Sequence, residues 1–408
     1  YSLISTLLFS LVIESLYKIF KPKLISLSNW KIINNFMFLV KNLIIFSKYF
    51  LKAKWTIKLP KKNKFILVDG IYNPFLKYIK KKDFTILYRR EEEINFSILL
   101  KCLLKFKFTT LDYCVEFIKH VSPKLILTAY DYHTIFYKLS RKTGIKTLML
   151  QKGKRSKEES LTKFSKFYFP KDSKKENYVD YMLFYNKTVT NFYSKRIAGN
   201  SFEIGSFENN FKKLDLKKQK KEIIFISNYS ADTNKCENEN IVAFYLHKLA
   251  KKNNIKFNIL PRFRTRPHML EREKIYYNKF LKNNFKFIVN KKISSYDLLI
   301  NYKYIFATYS TLAIECLAKG LRVGFTMFKS KKNPVFNYKF GDYENLPNKG
   351  LFWCASNKLD IREINRVFNF VTKTKRNTWI KKTDYYAKKN MNFDYKNKIF
   401  REIIKKYQ

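Results

Sequence analysis

Tyr304-Ile-Phe-Ala-Thr-Tyr-Ser-Thr-Leu-Ala-Ile-Glu-Cys-Leu-Ala-Lys-Gly-Leu-Arg-Val-Gly-Phe-Thr326 is the stretch of sequence that decides the fold. Two short apolar runs, 304–307 and 321–326, enclose a segment of helical length that begins at Thr311 and is closed by Gly320. Apolar runs of this length, bounded by turn residues, are typical of strands buried in a parallel sheet. A strand, a helix and another strand in this order predict a right-handed crossover between parallel strands.

The same alternation of apolar runs and helical segments extends over most of the chain, in two series. The predicted strands of the first series lie within 61–70 and at 84–88, 124–129, 146–150, 180–185 and 201–205. Those of the second series lie at 222–226, 256–260, 285–289, 304–307 and 321–326. The predicted fold class is therefore α/β, with two Rossmann-like domains that face each other across a cleft.

The domain boundaries are predicted from changes in composition along the 408 residues. Residues 212–221 are almost wholly polar, which is typical of an exposed linker between domains. The predicted segments are a helical N-terminal segment (1–60), a first Rossmann-like domain (61–211), the linker (212–221), a second Rossmann-like domain (222–360) and C-terminal helices (361–408). We expect at least one C-terminal helix to pack back on the first domain.

The chain is strongly basic, with 83 Lys and Arg against 32 Asp and Glu and a formal net charge of +51. Such an excess would ordinarily indicate nucleic acid or an anionic membrane surface as a partner. The lysines are spread along the whole chain, and Ala, Gly and Pro are scarce, as expected for a gene rich in A and T. Compositional bias is the simpler explanation of this charge, and attraction to anionic lipid or to sugar-phosphate partners is the alternative. We therefore expect no nucleic-acid partner.

The cysteines and histidines do not have the spacing of a metal site. The five cysteines lie at positions 102, 114, 236, 316 and 354, and the four histidines at 120, 133, 247 and 268. No C-x-x-C pair or H-x-x-x-H spacing occurs among them, so no structural metal is expected. An odd number of scattered thiols predicts a reducing compartment, the cytoplasm, where each cysteine serves as a small core residue.

The N-terminal segment contains an apolar stretch, Leu3 to Ile13, that ends at Glu14. It is shorter than the ~20 residues that a membrane-spanning helix needs. An amphipathic or partly buried helix, a truncated signal sequence and a helix on the membrane surface are all consistent with it. A second such helix is predicted over 37–50, so peripheral contact with the inner face of an anionic membrane is one expectation.

The segment after the 304–307 strand carries the sharpest candidate site. Ser310 or Thr311 is expected to cap a helix whose first backbone N–H groups and positive dipole end can hold a phosphate. One turn further, Glu315 could accept hydrogen bonds from ribose hydroxyls. The alternative is an ordinary capped helix with Glu315 solvated.

The pattern Ser-Thr-Leu-x-x-Glu-x-Leu-x-x-Gly, from Ser310 to Gly320, resembles the donor-nucleotide motif of glycosyltransferases with the two-Rossmann architecture called GT-B. It is also similar to the motif of sugar-nucleotide 2-epimerases and polyglycerol-phosphate transferases. The resemblance implies that the second domain binds a nucleotide-sugar and the first domain the acceptor. Because fold does not fix function, the residues of the site must support this interpretation.

Two other loops of the second series follow strands directly. Arg262 and Arg264 fall in a cluster of three arginines in a chain that otherwise uses lysine, which favours bidentate binding of a diphosphate. Ser227 and Asn228 could offer hydroxyl, amide and backbone donors to a phosphate or to the transferred sugar. A solvated turn is the alternative for the arginines, and plain turn residues are the alternative for Ser227 and Asn228.

In the first series, Asp131 and His133 follow the 124–129 strand. A transferase that inverts the sugar needs a base to deprotonate the acceptor hydroxyl, and either residue could serve; the alternative for Asp131 is a helix N-cap. Gln151 and Arg155 follow the next strand and are assigned to the acceptor side.

Phe136-Tyr-Lys-Leu, Gln151-x-Gly-x-Arg155 and Glu203-Ile-Gly-Ser-Phe-Glu-Asn-Asn210 resemble a family of surface carbohydrate biosynthesis proteins. This likeness covers about 123–328, although such proteins usually have Asn where Lys152 stands.

No dinucleotide or P-loop glycine motif and no D-x-D pair occurs, so no cofactor and no metal are expected. The resulting hypothesis is a cytoplasmic, metal-independent glycosyltransferase that acts on a glycan or lipid-linked acceptor of surface polysaccharide. The alternatives are a polyol-phosphate transferase using a CDP-glycerol-type donor, a basic nucleic-acid-binding protein, and a non-catalytic assembly partner.

Overall fold

The computed structural model describes residues 53–89, 92–107, 109–131, 134–153, 173–211, 214, 218–232, 236–282, 284–290, 292–328, 340 and 346–408. The predicted N-terminal helices, His133 and Arg155 lie outside these ranges. Within them, every helix is too short or too polar to cross a lipid bilayer.

The strands and helices alternate along the chain, as the apolar pattern predicts. The strands are β1 (Lys54–Thr56), β2 (Phe65–Val68), β3 (Phe84–Leu87), β4 (Glu93–Asn95), β5 (Leu125–Thr128), β6 (Lys146–Leu150), β7 (Tyr178–Phe184), β8 (Ala198–Glu203), β9 (Lys220–Ile226), β10 (Phe257–Leu260), β11 (Lys286–Phe287), β12 (Tyr302–Ala307), β13 (Arg322–Phe328), β14 (Lys349–Gly350) and β15 (Trp353–Ser356). The helices are α1 (Phe96–Leu104), α2 (Thr110–Val121), α3 (Phe136–Thr143), α4 (Lys187–Ser194), α5 (Glu237–Lys252), α6 (Pro267–Leu281), α7 (Ser295–Leu299), α8 (Thr311–Ala318), α9 (Ile361–Lys373), α10 (Arg376–Asn390) and α11 (Lys398–Lys405).

The chain divides into two compact units. The first contains the described residues up to Thr128 together with Arg141–Ile145, and the second contains Ala129–Ser140 and Lys146–Gln408. This division does not coincide with the predicted linker at 212–221, and β9 already begins inside that linker, at Lys220. The predicted domain boundaries therefore stay a prediction.

The first unit is built on parallel strands in the order β3-β2-β5. β2 is buried along its whole length and pairs with β3 and β5 in register from Phe65. The turn after β2 uses left-handed backbone at Asp69 and Gly70, as the Asp-Gly pair predicts. The Asp69 carboxylate is buried there and accepts hydrogen bonds from the guanidinium of Arg89, at 2.8 and 3.0 Å.

The second unit contains a seven-stranded sheet in the order β11-β10-β9-β12-β13-β15-β14. Six of these strands are parallel, and only the short edge strand β14 is antiparallel. Numbered along the chain, the parallel strands have the order 3-2-1-4-5-6 of a Rossmann fold. The order reverses between β9 and β12. Ligands of such sheets bind beyond the carboxyl ends of the two strands at this switch point.

The second unit also contains the parallel strands β6, β7 and β8, on which the end of the chain packs. Asn392 donates from its backbone to Tyr185 O at 2.7 Å, and a bridge joins Gly205 to Phe393. Gly205 has a φ of +70°, and a Cβ there would lie 1.8 Å from Asn392 O, so only glycine fits. A C-terminal helix packs on the 61–211 part of the chain, as expected: the ring of Phe400 on α11 contacts that of Phe207 at 4.8 Å between centroids.

Several predicted elements differ in the structure. The sequence of residues 73–82 predicts a helix, but these residues form only two short 3-10 turns, Asn73–Lys77 and Lys81–Asp83. The helical periodicity from Ile94 to Phe106 predicts a second helix, and this helix begins only at Phe96, because Glu93–Asn95 pairs with the strand Lys54–Thr56. That strand also corrects the helical assignment of the last residues of 1–60.

The five cysteines are all buried and free, as expected of small core residues. Burial raises the pKa of the Cys114 thiol to about 12 and that of Cys354 to about 11. Both thiols are therefore protonated at neutral pH and unreactive.

Candidate functional site

The loops after β9 and β12 meet at the switch point of the seven-stranded sheet. The side-chain amide of Asn228, after β9, donates to Thr308 Oγ1 at 3.3 Å and to the carbonyl of Tyr309, both after β12. The two loops that flank the expected ligand position are thus joined directly. Asn228 was predicted to contact a ligand, and here it bridges the two loops.

A buried carboxylate, Glu239 on α5, lies beneath this junction. It accepts hydrogen bonds from Asn228 N at 2.6 Å and from the Tyr277 hydroxyl, and Thr308 Oγ1 lies 3.5 Å from its second oxygen. Residues from the loop after β9, the loop after β12 and helix α6 therefore share one acceptor. The Glu239 carboxylate therefore holds the loops after β9 and β12 in their positions.

A second buried carboxylate, Glu273 on α6, joins the loop after β9 to the loop after β10. Its Oε1 accepts from Ser227 Oγ at 2.5 Å and from Arg262 N at 3.0 Å, and its Oε2 accepts from Phe263 N at 3.2 Å. The Tyr277 hydroxyl lies 3.0 Å from the same Ser227 hydroxyl. Ser227, predicted as a ligand donor, is instead buried in this network.

Helix α8 begins beside the bridged loops, as the motif predicts. Ser310 is its N-cap by backbone conformation, but its side chain makes no capping hydrogen bond. Thr311 is the first helical residue and is half-buried. The first-turn N–H groups of a helix have no partner within the helix, so those of α8 can bind an anion. The helix ends as predicted, with Gly320 at a φ of +84°.

Glu315, in the second turn of α8, is buried instead of solvated. Its carboxylate accepts from the Tyr296 hydroxyl at 3.3 Å and from Ser206, and Asn209 donates to its backbone carbonyl at 2.7 Å. Burial raises the pKa of Glu315 to about 7, against the opposing effect of these donors and of Lys319. The alternative prediction, that Glu315 is exposed to solvent, is therefore wrong.

Arg262 and Arg264 both hold loops at this edge of the sheet. Arg262 Nη1 donates to the carbonyls of Asn228 and Tyr229, at 3.3 and 3.2 Å. Arg264 Nη1 donates to the carbonyls of Asn290 and Ile293. The Arg262 bonds to the described residues use only Nη1, which leaves Nη2 and Nε of this exposed guanidinium able to bind a diphosphate.

Asp131 is buried and held by two tyrosines. The Tyr193 hydroxyl donates to its carboxylate at 2.9 Å, and the Tyr137 hydroxyl donates to its backbone carbonyl at 2.7 Å. Helix α3 begins only at Phe136, five residues further on, so Asp131 is not the residue that precedes this helix. Its predicted role as a base is untested by these contacts.

Gln151 follows β6 and is also buried. Its amide oxygen accepts from Tyr185 N at 3.1 Å, and its amide nitrogen donates to Gly153 O at 3.0 Å. The side chain therefore ties the loop after β6 to the end of β7. Its predicted contact with an acceptor stays a prediction, and its partner in that prediction, Arg155, lies outside the described residues.

A family of known proteins matches the part of the chain that contains the seven-stranded sheet. Residues 148–408 match the profile of a family described as "putative O-antigen biosynthesis protein". This match covers well over half of the 408 residues. The chain belongs to this family. The predicted resemblance to surface carbohydrate biosynthesis proteins is thereby confirmed.

No curated protein matches this member of the O-antigen biosynthesis family in sequence. Among solved structures, MurG of Acinetobacter baumannii is 12% identical, with 85% of this chain and 99% of that chain covered and a TM-score of 0.47. UDP-GlcNAc 2-epimerase of Neisseria meningitidis, bound to UDP-GlcNAc, is 12% identical, with 84% and 98% covered and a TM-score of 0.40. The wall teichoic acid polymerase TagF is 12% identical, with 85% and 89% covered and a TM-score of 0.41.

Glu239, Glu273 and Tyr277 were not predicted as site residues. A signal for the two carboxylates was present in the helical pattern. Glu239 lies one turn before Val242 and Ala243 on the buried face of α5, and Glu273 lies one turn before Tyr277 on the buried face of α6. An acidic residue on an apolar face must find buried donors, and both carboxylates do.

The buried carboxyls predict an unusual pH dependence for the family member. Burial raises the pKa of Glu239 to about 7, as it does for Glu315, against 4.5 as the ordinary value. Between these values the unfolded chain loses protons that the folded chain keeps, so the free energy of unfolding falls as pH rises from about 4.5 to 7. We expect Glu239→Gln to remove about 2 kcal/mol of this fall.

Urea unfolding at pH 5, 6, 7 and 8 measures this effect. The matched control is Glu271→Gln, which changes an exposed carboxyl on α6 and should leave the slope as it is. The two lysines paired with Glu116 lower the pKa of its carboxyl to about 2. Glu116 therefore changes the free energy of unfolding with pH only below pH 4.5. A slope in Glu239→Gln equal to that of the unsubstituted protein would show that Glu239 is ionised in the fold.

Proposed function

We propose that this chain is a glycosyltransferase of surface-polysaccharide synthesis that takes a sugar from a nucleotide-sugar donor. The observation that carries the proposal is the switch point between β9 and β12, where two joined loops and the start of α8 surround the position at which Rossmann sheets bind nucleotides. Membership of a family of O-antigen biosynthesis, which makes a surface polysaccharide, supports the same function.

The donor diphosphate is proposed to lie against the first turn of α8. The N–H groups that follow Ser310 and Thr311 would bind its oxygens, and the exposed guanidinium of Arg262 would bind from the neighbouring loop. Positive charge fixed at this place would stabilise the leaving nucleotide without a metal ion. Arg264, which holds its own loop to Asn290 and Ile293, would position this edge of the site.

Glu315 is proposed to accept hydrogen bonds from the ribose hydroxyls. It is buried, and Tyr296 and Ser206 donate to it. With a pKa of about 7 it carries a partial charge at neutral pH, and a ribose hydroxyl that donates to it would favour the ionised form. Donor binding should therefore release a fraction of a proton near neutral pH.

The acceptor is proposed to be a glycan or a lipid-linked glycan precursor, met at the cytoplasmic face of the membrane. Asp131 or His133 would take the proton from its attacking hydroxyl, and Gln151 and Arg155 would lie on the acceptor side. The net charge of +51 suits an acceptor that carries phosphate or sits at an anionic surface.

A thermal-shift panel of nucleotide-sugars tests the donor site. We expect one uridine or guanosine diphosphate sugar to raise the melting temperature, because a ligand that binds only the folded state stabilises it. Stabilisation by cytidine diphosphate polyols alone would indicate the polyol-phosphate transferase instead. Binding to polyanions that falls steeply with salt, with no response to any nucleotide-sugar, would indicate a nucleic-acid-binding protein.

Arg262→Ala is expected to weaken binding of the donor found in this panel by roughly tenfold to a hundredfold, the usual effect of losing charge-assisted hydrogen bonds. Glu315→Gln should weaken it as well, and Gln is preferred to Ala because the position is buried. The control is Arg272→Ala, which removes an exposed arginine from α6. Unchanged donor affinity in both site variants would place the donor elsewhere.

A further inference from the structure

We propose that Ser206 and Asn209 are positioning residues of the donor site, which hold Glu315 so that its carboxylate can accept hydrogen bonds from the ribose. The inference rests on the proposed function and extends the donor site to the β8 loop, residues 204–210. The sequence of this loop resembles a family of surface carbohydrate biosynthesis proteins, but the proposed reaction assigns it no role. The β8 loop and helix α8 both belong to the second unit.

The β8 loop holds Glu315 at both its backbone and its side chain. Asn209 Nδ2 donates to the carbonyl of Glu315 at 2.7 Å, beside the helical bond from Lys319 N at 3.2 Å. The Ser206 hydroxyl donates to the carboxylate. Ser206 and Asn209 are both 3% exposed, so bulk water competes little with either bond. The direction of the Glu315 side chain is therefore fixed from the β8 loop.

The β8 loop is itself held by the end of the chain. Asn210 Nδ2 donates to Ile204 O and to Asn397 Oδ1, both at 2.8 Å. Asn397 Nδ2 donates in turn to Phe207 O at 3.0 Å. Both asparagines are fully buried, and buried hydrogen-bond networks of this kind make a local structure rigid. The two residues that hold Glu315 therefore lie on a fixed support.

The Glu315 carboxylate has acceptor positions that the fold does not use. Within the described residues only the hydroxyls of Ser206 and Tyr296 donate to it. A carboxylate can accept about four hydrogen bonds, so positions remain for two ribose hydroxyls. Burying a carboxylate is unfavourable, and a neutral amide could join helix α8 to the β8 loop without that cost. The charge at this position is therefore explained by a ligand that donates to it.

The Ser206 hydroxyl also favours the charged form of the carboxylate. Burial and the charge of Glu208 raise the pKa of Glu315. The Ser206 hydroxyl opposes this rise, as do Tyr296 and Lys319. An ionised carboxylate accepts at both oxygens, whereas a protonated one carries a donor at one of them. Loss of the Ser206 hydroxyl should therefore weaken ribose binding through both the direction and the charge of Glu315.

Ser206→Ala tests the proposal with pairs of ligands that differ only in the ribose. The probes are the diphosphates of uridine, guanosine and cytidine, each beside its 2′,3′-dideoxy form, which lacks both ribose hydroxyls. We expect the full unsubstituted chain to bind one ribose form more tightly than its dideoxy partner in isothermal titration calorimetry. In Ser206→Ala this preference should fall by roughly tenfold, because hydrogen bonds to a charged acceptor are weakened. The affinity for the dideoxy form should stay as it is.

Three further variants separate a positioning role from a structural one. Asn209→Ala removes the bond to the Glu315 carbonyl and should lower the same preference by roughly threefold. Ser201→Ala is the matched control, because the Ser201 hydroxyl is paired with Ser194 Oγ at 2.9 Å, and its loss should leave the preference unchanged. In Glu315→Gln, adding Ser206→Ala should lower the preference no further, because Ser206 acts through the carboxylate.

Two results would overturn the proposal and leave the proposed function intact. If Ser206→Ala weakens both members of a pair equally, or neither of them, the Ser206 hydroxyl does not position Glu315 for the ribose. If the unsubstituted chain binds both members of each pair equally, Glu315 does not contact the ribose at all. If no diphosphate binds in any form, the proposed function itself fails, and the positioning role fails with it.

Discussion

Glu273→Ala is expected to lower the free energy of unfolding by about 4 kcal/mol, the largest effect on stability that we predict for the second unit. The reason is that one buried carboxylate satisfies three donors, Ser227 Oγ, Arg262 N and Phe263 N. Alanine leaves the buried Ser227 hydroxyl and the partly buried N–H groups of Arg262 and Phe263 without this acceptor, and it opens a cavity between α6 and the sheet. Urea unfolding followed by circular dichroism measures the loss.

Two further variants test whether the loss of stability comes from the hydrogen bonds of the Glu273 carboxylate. Glu271→Ala changes an exposed glutamate on the same helix and should cost less than about 0.5 kcal/mol, the usual limit for surface substitutions. The loss of free energy of unfolding in Glu273→Gln should lie between those of the two alanine variants. The new amide oxygen can still accept from Ser227 and Arg262, while the amide nitrogen faces the N–H of Phe263. A loss below about 1 kcal/mol in Glu273→Ala would mean that water replaces the carboxylate.

Asp131→Asn is expected to lower the turnover of glycosyl transfer by roughly a hundredfold if the Asp131 carboxylate is the base, the lower end of what general-base catalysis supplies. Asparagine keeps the size of the side chain and can still accept from the Tyr193 hydroxyl, so the fold should hold. Donor affinity should not change, because the proposed donor position is the β9–β12 switch point and not the loop of Asp131. Single-turnover kinetics with saturating donor measure the effect.

His133→Ala and Tyr193→Phe complete the test of the base. A loss in His133→Ala with near-normal turnover in Asp131→Asn would assign the proton transfer to His133. Tyr193→Phe removes the hydrogen bond to Asp131 and leaves its carboxylate, so it should cause only a small loss of rate. If Asp131→Asn and His133→Ala both turn over normally, the base assignment is wrong.

The strands with continuous apolar sequence could be predicted, whereas short edge elements could not. The runs that form β2, β9, β12 and β13 are buried along most of their length. They therefore appear in the sequence as continuous apolar runs, a pattern typical of strands in a parallel sheet. β1, β4, β14 and β15 were missed. β1 and β14 are two or three residues long and partly exposed, so their pairing depends on neighbours distant in sequence.

The place of the site could be predicted, but not the role of every side chain in it. The strand-to-helix segment that ends at Gly320 decides both the fold and the candidate site, and α8 begins at Thr311 as expected. Ser227 and Asn228 were expected to face a ligand, yet Glu273 and the loop after β12 bind them. Such partners are 46 and 80 residues away in sequence, so spacing alone carries no information about them.

The last residues of the chain pack on strands that are made far earlier. Asn186 donates to Asn390 O, 204 positions later, and the hydroxyls of Tyr181 and Tyr407 lie 2.9 Å apart across 226 positions. The partners of β7 are therefore synthesised 204 or more residues after the strand itself. The flank of β7 that they cover stays uncovered until the ribosome has added them, and chaperones would act on it in that interval.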